Sequence, residues 1–317
     1  MVFALDHVDL FHTKSLTQSG EQRVSNVVKF GRTMHMRLLI FGFGFTGAAL
    51  AARLLLKGWA VSGTSRQPER RARLCAMGVE AIDPDDSAAL RVAANTADAV
   101  LIAAPPSEDG CPGWAALPTA DLRRARPWIG YLSTTGVYGD RGGRWAFETS
   151  PVAPRSPEAS RRVAAETAWM SLGDACPVSI FRLPGIYGPG RSALDRVRAG
   201  EARSVIKPGH VFSRIHVDDI AAGLEASITR PDRAGVYNLC DDEPAAPADV
   251  NAYAAALLGL PAPPEAPFEA QALSPMARRF WAESKRVSNA KAKAALRWRP
   301  LYPTYREGLR AVLGAGG

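Results

Sequence analysis

In the stretch GFGFTG, Gly42, Gly44 and Gly47 stand in the spacing GxGxxG, between an apolar run, MRLLIFG (36–42), and a helical pattern, FTGAALAARLLLKG (45–58). The chemistry such a turn can do is to hold a pyrophosphate. Its first glycine permits a tight turn, the second lets the backbone approach the phosphates, and the third lets helix and strand pack closely. Phe45 and Thr46 open the helix, so the turn also offers free N–H groups and the positive end of a helix dipole. The spacing alone would suit a purely structural glycine turn; the strand–turn–helix setting is what points to a dinucleotide.

A second signal lies about 20 residues further on, where a site for NAD offers a carboxylate to the ribose 2′-hydroxyl. The segment VSGTSRQPER (61–70) has no acidic residue before Glu69, and Thr64, Ser65 and Arg66 occupy the strand end. A carboxylate would repel a 2′-phosphate, whereas Arg66 can hold one through charge-assisted hydrogen bonds and Ser65 can add a donor. NADP(H) is therefore expected in preference to NAD(H). The alternative is that Arg66 simply opens a solvent-facing helix.

These residues need a scaffold, and the chain alternates between strand-length and helix-length patterns. After MRLLIFG come a strand in WAVSGTS (59–65), a charged helix over 67–77 and a short strand at 79–82. A helix near 86–95 and the strands DAVLIAAPP (98–106), IGYLSTTGVYG (129–139) and PVSIFRLPG (177–185) follow. Strands separated by helices imply right-handed crossovers, hence an α/β fold with a Rossmann doubly wound parallel sheet. Residues 1–35 carry no long periodicity and no secretory pattern; they read as a disordered N-terminal extension, with Met34 or Met36 as the functional start.

Several motifs beyond the glycines resemble the extended short-chain dehydrogenase/reductase superfamily, which includes the NAD-dependent epimerase/dehydratases. They are LSTTGVYG (132–139), FRLPGIYGPGR (181–191), RIHVDDIA (214–221) and GVYNLCDDEP (235–244). The tail KRVSNAKAKAALRWRPLYPTYREGL (285–309) looks like the ending of an atypical bacterial branch. The resemblance covers residues 36–312 and implies a cofactor-binding core over 36–183, with strands near 211–240 returning to it. It also implies a smaller substrate lobe formed mainly by 184–317, the substrate lying between the two parts.

Active members of that superfamily use a Ser or Thr, a Tyr and a Lys. The hydroxyl orients the substrate oxygen, the phenol exchanges its proton, and the ammonium grips the ribose and lowers the phenol pKa. Aligning LSTTGVYG by its VYG puts Thr134 at the hydroxyl position. The helix that should carry YxxxK reads SPEASRRVAAE (156–166); matched at Glu166, it has Glu158 where the tyrosine is expected and Arg162 where the lysine is expected. Arg162 can still reach the ribose or phosphates, but an arginine is no proton donor near neutral pH. Read as plain structure, Ser156 is an N-cap, Pro157 a first helical residue and Glu158–Arg162 an exposed i,i+4 pair. The proton would then come from Tyr187 in GIYG, Tyr138 in VYG, or Glu158 itself with a pKa raised by burial.

Other conspicuous residues have structural readings. Asp218 and Asp219 precede a helix and read as N-caps, and His216 stands alone without a second histidine at ligand spacing, so no metal is expected. Cys75, Cys111, Cys176 and Cys240 are far apart and read as free buried thiols in a reducing cytoplasm. With 317 residues, 47% hydrophobic and 22% charged, the chain can bury a large core, and no apolar run reaches the length of a membrane span. The net charge of +8 comes mostly from arginines spread along the chain. RRAR (123–126) has no interleaved aromatics, so a small anionic molecule is expected as partner rather than nucleic acid. A homodimer is compatible with the resemblance.

Two function classes follow. One is an NADP(H)-dependent oxidoreductase or epimerase/dehydratase-like enzyme acting on a hydroxyl or carbonyl of a small metabolite. The other is a non-catalytic NADP(H)-binding redox sensor or regulatory protein on the same fold. Thr134 favours the enzyme; the loss of the Tyr–Lys pair favours the sensor.

Overall fold

Seven runs, most of them strongly apolar, form one parallel sheet: β1 (Arg37–Phe41), β2 (Ala60–Thr64), β3 (Glu80–Ile82), β4 (Ala99–Ile102), β5 (Trp128–Thr134), β6 (Val178–Leu183) and β7 (Gly235–Asn238). The sheet order is β7-β6-β5-β4-β1-β2-β3, every pairing parallel. This computed structural model describes residues 35–268, 278 and 281–315; residues 1–34 of the expected extension lie outside them. The expected α/β doubly wound class is the one found.

The sheet is covered on both faces, which is why its inner strands read as continuous apolar runs. Along β1, Leu38 and Ile40 enter one core cluster while Leu39 and Phe41 enter another. That is the period of two of a strand whose successive side chains point to opposite faces. On the first face lie the helices Phe45–Leu55, Val217–Ile228 and Ala290–Leu296, through Leu50, Leu224 and Leu296. On the second lie Ser87–Thr96, Thr119–Ala125 and Pro157–Met170, through Leu90, Leu122 and Trp169. A third apolar cluster joins Tyr187, the helix Ala193–Arg198, the helix Pro247–Leu257 and the helix Tyr305–Gly314.

Strand β5 stops earlier than its apolar pattern. Thr134 Oγ1 accepts a hydrogen bond from the Gly136 N–H at 3.1 Å, and Thr135–Tyr138 form a 3-10 turn. Gly139 closes that turn at φ +63°, where a Cβ would stand 2.1 Å from the Ala153 carbonyl oxygen. Thr134 is thereby the last strand residue, at the same sheet edge as the turn after β1.

The helix Val217–Ile228 is capped differently from the expectation. His216, not Asp218 or Asp219, is the N-cap, its Nδ1 accepting from the Asp218 N–H at 3.2 Å. Asp219 is buried and accepts from the N–H groups of Leu301 and Tyr302, so it anchors the segment before the last helix. All four cysteines are unpaired; Cys176 and Cys240 are buried as expected, but Cys75 is exposed. Among the described residues no helix is long and apolar enough to cross a membrane.

Candidate active site

The three glycines of the first turn are there for three different reasons. Gly42 sits at φ +88°, and a Cβ on it would stand 2.5 Å from the Ala104 nitrogen. A Cβ on Gly47 would come 3.1 Å from Ile40 Cγ2, so this glycine sets how closely helix and strand pack. On Gly44 a Cβ would meet nothing within 4 Å. Neither its extended conformation, φ −117°, nor its protein neighbours require glycine there. What its bareness leaves is open space above the N-terminus of the Phe45–Leu55 helix, whose first-turn N–H groups lack intrahelical acceptors. A pyrophosphate fits that cradle, and the first turn holds no acidic residue to oppose it.

The end of β2 is tied to this turn. The Gly42 N–H donates to Thr64 Oγ1 at 2.8 Å and the Phe43 N–H to the Thr64 carbonyl at 3.0 Å. Thr64 is thus buried and shapes the turn from beneath. Ser65 Oγ accepts from the Gln67 N–H at 3.3 Å, and Arg71 donates to the Ser65 and Arg66 carbonyls while pairing with Asp83 at 2.8 Å. The loop is fixed by its backbone, and Arg66 extends from it exposed, with no side-chain hydrogen bond or ion pair among the described residues.

Across the sheet edge, Thr134 lines a cavity of about 360 Å³ together with Gly136, Ser156, Glu158, Pro184 and Gly185. Because Thr134 Oγ1 accepts from Gly136, its own O–H remains to donate. The missing-tyrosine helix begins as its sequence suggests: Ser156 is the N-cap, its Oγ accepting from the Ala159 N–H at 3.1 Å, and Pro157 is the first helical residue. Glu158 is exposed on this cavity wall. Arg162 turns the other way, donating to the Leu132 carbonyl at 2.5 Å and to the Tyr131 hydroxyl at 3.3 Å. It is not on the wall of the Thr134 cavity.

Below Thr134 lies a buried polar network. Arg182 grips Glu166 with two nitrogens, at 3.1 and 2.7 Å, and Ser133 Oγ donates to Glu166 at 2.5 Å. Arg182 also donates to the Tyr138 hydroxyl at 3.1 Å, which in turn donates to Asn238 at 2.8 Å. Tyr138, weighed above as a proton source, is fully buried and committed to this network. Burial pushes its pKa up against the opposing pull of Arg182. Its hydroxyl ties β6 and β7 together rather than facing a cavity.

Tyr187 has a different neighbourhood again. It lines a second cavity of about 600 Å³, which shares Gly185, Phe212 and Ser213 with the first. The phenol lies against the Tyr305–Gly314 helix, where a Cβ on Gly308 would stand 1.9 Å from its oxygen. Burial drives its pKa well up, with Asp241 and Asp219 adding to the effect. The structure therefore brings Thr134 and Glu158 onto one cavity and leaves Tyr138 and Tyr187 off it. Arg191, Arg196, Arg203 and Arg214 line the second cavity. Arg214 Nη2 donates to the Ala245 carbonyl at 3.2 Å, while its buried Nη1 has no partner among the described residues.

Sequence reasoning passed over two residues on the first cavity's wall. Glu283 and Lys285 form an ion pair at 2.6 Å, with side chains only 15% and 11% exposed. They arrive there because the tail segment Arg286–Val287 pairs in parallel with Trp145–Ala146, close to β5's exit. No spacing rule links a residue to Thr134 across 150 positions; the only signal was the KRVSN motif itself, whose role was unread.

Residues 38–240 match the sequence model of the NAD dependent epimerase/dehydratase family, and the chain belongs to that family. Protein YeeZ of Escherichia coli (strain K12) is 32% identical over 247 residues, 72% of this chain and 85% of that protein. A functionally unknown conserved protein from Silicibacter pomeroyi DSS, known as a solved structure, is 44% identical with a TM-score of 0.83, covering 88% of this chain and 99% of that one. A human epimerase family protein solved with NADPH is 21% identical, with a TM-score of 0.68 over 88% of this chain and 99% of its own length, and shares the fold.

Proposed function

We propose that this chain is an NADP(H)-dependent oxidoreductase or epimerase-like enzyme acting on a hydroxyl or carbonyl of a small metabolite that carries an anionic group. The observation that supports it is the placement of the open Gly44 turn and the Thr134-lined cavity at one edge of a single parallel sheet. Gly42, Gly44, Phe45, Thr46 and Gly47 cradle the pyrophosphate, and Thr64 holds that turn in shape. Ser65 and Arg66 take the 2′-phosphate. When bound, the nicotinamide supplies or takes up the hydride. Thr134 donates a hydrogen bond to the substrate oxygen and so fixes the reacting carbon. The arginine-lined cavity beside it holds the anionic end of the substrate, where Arg214 Nη1 is otherwise buried without a partner among the described residues. Arg162, Tyr138 and Tyr187 serve this site as framework: the first on β5, the second on β6 and β7, the third on the last helix.

The second reading, a redox sensor, is favoured by Glu158 in the place of the superfamily's tyrosine. One experiment separates the two. Purified protein is incubated with stereospecifically deuterated NADPH and a bacterial metabolite extract, with NADPH and NADH titrations alongside. Deuterium appearing in a metabolite supports the enzyme and names its substrate. Tight NADPH binding without label transfer and without isomerised metabolites supports the sensor, and preferential binding of NADH overturns the cofactor assignment.

A further inference from the structure

We propose that Lys285, held against Glu283 on the wall of the Thr134 cavity, is the proton donor of the site and replaces the absent tyrosine from the opposite end of the chain. The inference rests on the oxidoreductase reading above.

Three observations carry it. First, Lys285 lines the same cavity as Thr134. Of its three N–H donors, Glu283 takes one, and among the described residues no other acceptor takes the remaining two. Second, the backbone on both sides of Lys285 is pinned. The Ser284 N–H donates to Asp140 at 2.9 Å, and Ser284 Oγ accepts from the Val211 N–H at 3.2 Å. The Arg286 N–H donates to the Arg144 carbonyl at 3.1 Å, and the Val287 N–H to Ser213 Oγ at 3.0 Å. A lysine fixed in this way at 11% exposure is not a solvated surface residue. Third, both tyrosines weighed for the proton are off this cavity, and so is Arg162, while Glu158 on the same wall is exposed rather than buried. Tyr138 is bound to Asn238 and Arg182, Tyr187 lies against Gly308, and Arg162 is turned to β5.

In the reducing direction the step balances as follows. The carbonyl carbon receives a hydrogen nucleus and two electrons from the reduced nicotinamide dinucleotide. As the C=O π bond opens, the oxygen takes one proton from the Lys285 ammonium. The products are the alcohol, the oxidised dinucleotide and a neutral lysine amine, which regains its proton from water in the open cavity. In the oxidising direction the neutral amine accepts the hydroxyl proton.

The test uses full-length wild type, K285M and K285R with deuterated NADPH and the metabolite extract. Each protein's NADPH affinity is measured by fluorescence. Separately, wild type is treated with formaldehyde and borane, with and without NADPH, and dimethylation of Lys285 is followed by mass spectrometry. We expect K285M to lose label transfer by about 10²- to 10⁴-fold, the usual range for general acid–base catalysis, with NADPH affinity unchanged. K285R should lose as much, because a guanidinium keeps the charge but does not give up a proton near neutral pH. NADPH should protect Lys285 from dimethylation. Transfer by K285M at the wild-type rate, recovery in K285R, or equal dimethylation with and without NADPH would each overturn the donor role. If wild type itself neither transfers label nor isomerises a metabolite, the enzyme reading falls and takes this one with it; if wild type and K285M are equally active, only the donor role falls.

Discussion

Exchanging Gly42 and Gly44 separately for alanine should divide folding from binding, although the two residues are only one position apart. At Gly42 an alanine must adopt φ +88° and place its Cβ 2.5 Å from the Ala104 nitrogen and 2.6 Å from Ala104 Cβ. The left-handed conformation costs about 1–2 kcal/mol for an L-residue, and overpacking against backbone adds about 1–3 kcal/mol. The sum, about 2–5 kcal/mol, corresponds in a chain of this size to a fall in Tm of roughly 4–15 °C. At Gly44 the backbone is extended and the new methyl group meets no protein atom. Alanine is a poorer N-cap than glycine by some tenths of a kcal/mol, and the entropy it removes from the unfolded chain offsets about 0.4–1 kcal/mol. Tm should therefore stay within about 3 °C of wild type. The methyl group does occupy the space proposed for the pyrophosphate, so NADPH affinity should drop at least about tenfold, equivalent to about 1.4 kcal/mol. Thermal unfolding and an NADPH fluorescence titration on both variants read these outcomes. A G44A protein that folds and binds NADPH like wild type would refute the cradle. An unshifted Tm in G42A would refute the steric reading of the turn.

Three further expectations follow from the same geometry. R182M leaves Glu166 buried without its two-nitrogen grip, which should cost about 3–5 kcal/mol of stability, measured by chemical denaturation; a change below 1 kcal/mol would mean that water reaches the network. His210 is buried between Phe212 and Trp281, and its pKa is pushed down to about 4, first by burial and then by Lys207. A depressed histidine contributes stability above its unfolded value near 6.5 that is lost as pH falls toward 4, so wild type should lose on the order of 2–3 kcal/mol across that window. H210F, which keeps the ring packing, should lose correspondingly less across the same window; parallel curves for the two proteins would refute the assignment. R66E should weaken NADPH about tenfold or more while leaving NADH affinity unchanged or improved, and an equal loss for both dinucleotides would detach Arg66 from the 2′-phosphate.

The parts of this protein that local physics dictates were legible in its sequence. The glycine turn is one: its spacing, its strand and its helix lie within one short stretch, where Gly47 answers to Ile40, while Gly42 answers to Ala104 just after β4. The strands were legible because a sheet covered on both faces demands unbroken apolar runs. Legibility failed where a residue's surroundings come from distant chain. IGYLSTTGVYG reads as one long strand, but Thr134 caps the turn that ends it. Asp219 reads as an N-cap, yet Leu301 and Tyr302 supply its partners from 82 and 83 positions away. Tyr138 reads as a tyrosine near a reacting centre, but Arg182 and Asn238 converge on its hydroxyl, and nothing near Tyr138 in sequence announces them.

Glu158 and Lys285 are two sides of the same problem. Where the superfamily's helix would present a phenol to the cavity, this chain presents a carboxylate on its first turn, a position that the helix dipole favours. Reduction at Thr134 also requires an acid on the cavity wall. The tail meets that requirement through backbone contacts rather than side-chain luck. Residues 284, 286 and 287 each bond to the loops that frame the cavity, and residue 285 between them is directed inward beside Glu283. If Lys285 only stabilised the loop, its ammonium would do as well facing solvent with Glu283 beside it. Its burial on a wall shared with Thr134 costs desolvation that an exposed pair avoids, and among the described residues no compensating contact stands beyond the one carboxylate.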